Sequence, residues 1–352
     1  MRLTWARLAL CSIASAVVVA GAASPSRSQS QVPASTACPS ANGPAVVAQA
    51  RVPGRPGFLL PKGKDLWVAL AAPRPSGRGA VARVDARSGQ LERVLRLPID
   101  PYQLAAGFGS LWITGATDDA RYRGVLRVDP RSGRVVHVIR GPRALGSKLA
   151  TTSRAVWVGG ADIYPKGHPE KAGVRFVYEI DPRRNAVMRR VRLPGQATVI
   201  ALAGAGSSVW SVGWWGVVKL SASGRVLFRH PIDGSGWSLA LTPGVVWVAQ
   251  PWLGERPLRR QDKPARRLLR IPVAAPSHET VVELQNQPGG VSAAAGVVWV
   301  GGNGQLERLS AANPQPSPTS VRLKLLPTYH AAFPGGVWVA EREINRVSKV
   351  CY

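Results

Sequence analysis

Five histidines are available for proton transfer or metal ligation: His137, His168, His230, His278 and His330. His168 sits in ADIYPKGHPEKAG (161–173) with Asp162, Tyr164 and Glu170. An imidazole near two carboxylates is the raw material of a metal or acid–base site. The spacing fits no recognised ligand pattern, and a solvated polar loop explains it more simply. His330 follows Tyr329 at the head of an apolar stretch. Its titration range suits proton transfer near neutrality, but no partner for it is readable in the chain. Asp118 and Asp119, with Arg121 and Tyr122, offer too few oxygens for calcium. No G-x-S-x-G, P-loop, H-E-x-x-H or C-x-x-C motif occurs. His330, His168 and Glu170 are therefore weak catalytic candidates without an assigned reaction, and no metal or cofactor is expected.

Recognition is the better-supplied chemistry. Tyr102, Trp214, Trp237, Trp252 and Tyr329 fall at strand ends or in loops of the pattern described below. Flat apolar rings with polar tips suit a small organic or peptide ligand, although the same rings serve wall packing equally well.

The elements that must position these residues are copies of one unit. GKDLWVAL, FGSLWITG, SRAVWVGG, GSSVWSVG, PGVVWVAQ, AGVVWVGG and PGGVWVAE place Trp67, Trp112, Trp157, Trp210, Trp247, Trp299 and Trp338 in one context. Their intervals are 45, 45, 53, 37, 52 and 39 residues. A period near 45 is the blade length of a four-stranded β-propeller. Residues 101–140 show the unit: PYQLAAG as innermost strand, SLWITG second, GVLRVD third and RVVHVIR outermost. Period-two alternation with β-branched residues predicts strands, and no window sustains a 3.6-residue period. Each Trp lies between aliphatic neighbours, so it faces one adjoining blade and they face the other. Third and outermost strands are joined by DARSG, DPRSG, DPRRN or SASG, in which Asp bonds its own backbone and Gly or Asn accepts the left-handed position.

The chain ends one strand short of a seventh blade. AVVAQARV (45–52) reads as the missing outermost strand, to pair with INRVSKV (344–350). Such closure leaves no free radial end. It also brings Cys38 and Cys351 together as a disulfide, which an oxidising compartment permits. The predicted architecture is all-β: a single seven-bladed propeller over 45–352. Its second-to-third loops are unequal, long at 71–79, 116–123, 161–173 and 250–265, and short at Trp214–Trp215 and Gly302–Gly304. Unequal insertions on one rim of a rigid scaffold mark an asymmetric binding surface.

The LWV/VWV strands, VDPRSG turns and VV-x-x-I outer strands together resemble the YVTN-repeat and virginiamycin-B-lyase-like seven-bladed propellers. The resemblance spans essentially 45–352. It implies the fold and, for the lyase relatives, cleavage of a cyclic depsipeptide by His and Glu with a divalent metal. None of the five histidines recurs with the repeat, so no catalytic residue carries over. A WD40 assignment is disfavoured because no Trp-Asp closes the third strands.

Residues 1–23 read as a secretory signal: Arg2 and Arg7, an apolar run from Leu8 to Gly21, then Ala22 and Ala23 at the cleavage point. Residues 24–44 read as a flexible leader rich in Ser, Pro, Ala and Gln. No later stretch reaches 18 consecutive apolar residues, so no membrane span is expected in the mature chain. The net charge is +27, and Arg outnumbers Lys 37 to 9. A field of that sign attracts polyanions without specificity. The expected protein is an extracytoplasmic, monomeric binding or scaffold propeller with an unknown extracellular partner. A lyase or hydrolase of the virginiamycin-B-lyase type is the alternative.

Overall fold

A computed structural model describes residues 38, 45–72, 78–117, 123–141, 145–160, 176–194, 199–214, 216–253, 263–314, 321–323 and 329–351. They form seven antiparallel sheets of four strands each. The innermost strands of blades 1 to 7 are Arg55–Lys62, Asp100–Gly107, Leu145–Thr151, Ala201–Ala205, Ser238–Thr242, Gly290–Ala294 and His330–Phe333. Each packs on its successor, and His330–Phe333 packs on Arg55–Lys62, so the ring closes.

The repeated Trp explains why these sheets stack. It sits on the second strand directly opposite Leu60, Ala105, Ala150, Ala203, Ala240, Ser292 or Ala331 of the innermost strand. A small partner in six of seven copies leaves room for the indole where blades converge on the axis. All seven Trp are buried. The apolar core divides into seven clusters, one per blade-to-blade seam. Trp67 packs with Leu104, Leu111 and Ile113 of blade 2. Trp338 packs with Leu59, Leu66 and Val68 of blade 1.

The strand opposite Trp on its other side carries a second regularity. Arg83, Arg127, Lys219, Arg270, Arg308 and Lys349 pair with six of the Trp, and Glu179 pairs with Trp157. The cations of Arg83, Arg127, Lys219 and Arg270 lie 5.6, 5.2, 5.2 and 6.0 Å from their indole centres, within cation–π range. Arg127 continues into the next blade, donating to Pro182 O at 2.7 Å and Asn185 Oδ1 at 2.8 Å. Arg93 likewise reaches Arg131 O and Ser132 O of the blade 2 turn.

Those turns form as their residues dictate. Asp85, Asp129 and Asp181 accept N–H groups two and three residues on. These bonds hold the Asp85 and Asp181 carboxyls below the ordinary value, and at Asp129 the Ser132 hydroxyl does so first, with the backbone bonds behind it. Gly89, Gly133 and Gly224 have φ of 74°, 73° and 79°, and Asn185 takes the same role at 52°.

Blade 7 is assembled from both ends of the chain, in the order Ala45–Arg51, Arg346–Cys351, Gly336–Glu341, His330–Phe333. Cys38 and Cys351 are bonded, with Cα atoms 5.4 Å apart. Two blades depart from the expected pattern. In blade 5 the segment 250–265 is not all loop: the second strand runs to Leu253 and the third resumes at Lys263, with Trp252 opposite Pro264. A register shift after Gln250 lets the hairpin extend. In blade 6 the outermost strand is only Val321–Arg322.

Candidate functional site

The mouth side of the ring is where outermost strands feed the next innermost strand and where second strands turn into third. Blades 4 and 5 build the densest aromatic group there. Segment 233–237 threads between their second strands. Ser235 forms bridges to both Trp214 and Trp252. Ser235 N donates to Trp252 O at 3.3 Å, Gly236 N to Gly213 O at 3.1 Å, and Trp237 N to Ala249 O at 2.9 Å. A Cβ on Gly236 would collide with Val212, so only glycine passes here. Gln250 is fully buried and its side-chain amide donates to Asp233 O. Gln287 Nε2 ties the entry of blade 6 to Pro251 O at 2.8 Å.

This threading decides which rings are presented. Trp214 is covered, with 8% exposure. Trp237 and Trp252 are half-buried and keep part of their rings at the surface. Tyr102 occupies the bulge between Pro101 and Gln103 in blade 2 and is 46% exposed. Tyr329 is half-buried in blade 7, with the Arg342 guanidinium 5.1 Å from its ring centre. The fold therefore gathers Trp214, Trp237 and Trp252 around Ser235, and sets Tyr102 and Tyr329 on separate blades.

His330 lies inside a seam. It is 3% exposed, opposite Val339, with Nε2 3.1 Å from Trp299 O of blade 6. Leu59, Leu104, Leu149, Leu202, Leu239 and Val291 hold the same place in the other blades. His168, Glu170, Asp162, Tyr164, Asp118, Asp119, Arg121, Tyr122, Trp215 and Glu255 lie outside the described residues. Among the described residues no three His, Cys, Asp or Glu side chains converge closely enough to hold a metal.

Several polar residues have roles that the sequence alone did not show. Gln103 Oε1 accepts Leu149 N at 2.9 Å, Ser238 Oγ accepts Val291 N at 3.2 Å, and Ser292 Oγ accepts Ala332 N at 3.1 Å. Each bridges an innermost strand to the next blade, satisfying backbone groups that no sheet partner reaches. Lys148 stands in register with Gln103 and Ser238. It is 7% exposed, and burial lowers its pKa to about 8. Glu341 is buried and accepts both Arg346 nitrogens, at 2.9 and 2.7 Å. The position three after each Trp offered a signal. It reads Gly115, Gly160, Gly213 and Gly302 in four copies, but Gln250 and Glu341 in two. A groove of about 570 Å³ lies elsewhere, on the flank between blades 5 and 6, lined by Arg270, Thr280, Val282, Glu283, Ala312 and Pro314.

No known protein-family model matches the chain, and no curated protein matches it. Solved structures do. The Neurospora crassa Pan2 WD40 domain matches with TM-score 0.66 at 12% identity, over 88% of this chain and 95% of that one. Kuenenia stuttgartiensis hydrazine synthase matches with TM-score 0.64 at 14% identity, over 89% and 97%. A chain of a mitotic checkpoint complex matches with TM-score 0.66 at 13% identity, over 87% and 94%. At such identities the likeness is one of fold: this chain is a seven-bladed β-propeller.

Proposed function

We propose that this chain is an exported binding scaffold of the YVTN-repeat and virginiamycin-B-lyase-like kind. Its mouth-side aromatics, Trp237 and Trp252 next to Trp214, with Tyr102 and Tyr329 on other blades of the same rim, receive a small organic or peptide ligand. The observation that carries this reading is the departure of blades 4 and 5 from the repeat. Trp237, Gln250 and Trp252 have no counterparts in most copies, and the two Trp are only half-buried. Non-repeated aromatic surface on a repeated scaffold is what recognition needs. The basic and apolar start of the chain and the Cys38–Cys351 bond support export to an oxidising compartment.

The test is a thermal-shift screen of amphipathic peptides and aromatic small molecules against the purified mature chain. At least one class should raise the melting temperature. The shift should vanish in Trp252→Ala and Tyr102→Ala while the unliganded melting temperature stays put. Ring-opening of a virginiamycin-type depsipeptide in the presence of Mg²⁺, seen by mass spectrometry, would overturn the scaffold reading in favour of a lyase.

A further inference from the structure

The outermost strands end on a shared pattern: a buried residue, then an exposed arginine, then in three of four blades another buried apolar residue. Arg51 of blade 7 lies between Ala50 and Val52, Arg96 of blade 1 between Leu95 and Leu97, and Arg192 of blade 3 between Val191 and Leu193. Arg140 of blade 2 follows buried Ile139. All four arginines are exposed. The register is common to all: each pairs opposite the residue three before the Trp-opposed position, namely Arg346, Ala80, Gly124 and Phe176. Arg322 of blade 6 holds the same backbone place, opposite Gln305. Blades 4 and 5 break the series, with Pro231 and Glu283.

These arginines differ from those tied down within a blade or to the next one. Arg83, Arg93, Arg127, Arg189 and Arg346 are held by carbonyls or carboxylates. No hydrogen bond or ion pair ties Arg51, Arg96, Arg140 or Arg192 to another described residue. Their backbones are nonetheless fixed by the buried neighbours and by strand pairing. The result is a row of exposed arginines on fixed backbone positions, one in each of blades 7, 1, 2 and 3, on the mouth-side shoulder of the ring.

We infer that Arg51, Arg96, Arg140 and Arg192 form a docking arc for a flexible linear polyanion whose anionic groups are phosphates or phosphodiesters. Guanidinium forks match phosphate oxygens bidentately. All four stand on outermost strands, at the outer edge of the ring, separated by three of its seven inter-blade steps. A flexible anionic chain can run along that edge from one guanidinium to the next. The inference goes beyond the mouth-side reading and uses none of the aromatic residues.

Long-chain inorganic polyphosphate is the probe, with affinity measured against salt on the mature chain. Wild type should show a steep log–log slope. Converting all four arginines to Gln should flatten that slope by about 3, at roughly 0.7 per lost contact on a single-stranded polyanion. A control with Arg131, Arg134, Arg183 and Arg225 changed to Gln removes the same charge from the opposite-face turns, and should flatten it by less than about 1. Glu283→Arg adds an arginine at the same register in blade 5 and should steepen the slope, which keeps a readout if the fourfold variant fails to fold. Equal loss in both fourfold variants would reduce the effect to net charge and overturn the arc. So would aggregation of the shoulder variant with polyphosphate binding intact, which would assign these arginines to guarding strand edges. Loss confined to phosphatidylglycerol vesicles would overturn the choice of partner.

Discussion

Arginine plays two parts in this ring, and the contrast between them separates scaffold from surface. Arg83, Arg127 and Arg270 recur opposite the blade Trp, lie near its ring, and belong to a position that is cationic in six of seven copies. Arg51, Arg96, Arg140 and Arg192 also share one register, but their series stops at Pro231 and Glu283. The Trp-opposed cation belongs to the repeated blade itself and recurs around the ring with one exception, Glu179. A role in meeting a partner needs no such recurrence, and its residues break the symmetry. The aromatics of blades 4 and 5 follow the same logic as the shoulder arginines.

The strongest way to break this division is through tryptophan. Trp247→Ala removes a fully buried indole and its hydrogen bond to Thr242 Oγ1, and should cost about 3–5 kcal/mol in chemical denaturation. Trp252→Ala, five residues after the repeated Trp of the same strand, should cost far less. Equal costs would mean that Trp252 is scaffold too.

Lys148 sharpens the division because it is unrepeated yet buried. Its folded pKa of about 8 lies below the unfolded value of 10.5. Between those values the unfolded chain holds the proton and the folded chain does not, so stability rises as pH climbs from 8 to 10.5. The gain is at most about 3 kcal/mol, at 1.36 kcal/mol per pKa unit. Lys148→Met should reduce that rise in melts across this range, leaving the part that buried Lys349 contributes. An unchanged pH profile would show that Lys148 reaches water in the folded state.

Much of the fold was legible because the constraints are local and repeated. The seven Trp copies gave the blade number and their interval the blade length, the Asp-to-Gly turns gave hairpins, and Asn185 holds the left-handed φ expected of it. The joining of both termini followed from one missing strand, and the paired strands and the Cys38–Cys351 bond bear it out. The Trp-opposed cations escaped notice because second-to-third loops of unequal length place them at different distances from each Trp. His330 was harder still. Mouth and seam are one residue apart on an innermost strand, and a one-residue step turns a side chain to the other face. Trp214 could not be told from an open rim residue, because its cover comes from segment 233–237, two strands later.

The most direct measurement compares the melting of two arginine variants of the mature chain. Changing Arg83, Arg127 and Arg270 together to Gln should cost about 2 kcal/mol, at roughly 0.5–1 kcal/mol for each ring contact. Changing Arg51, Arg96, Arg140 and Arg192 together should leave the melting temperature unmoved. Equal falls in the two variants, or a fall in the second alone, would contradict the separation of scaffold from surface.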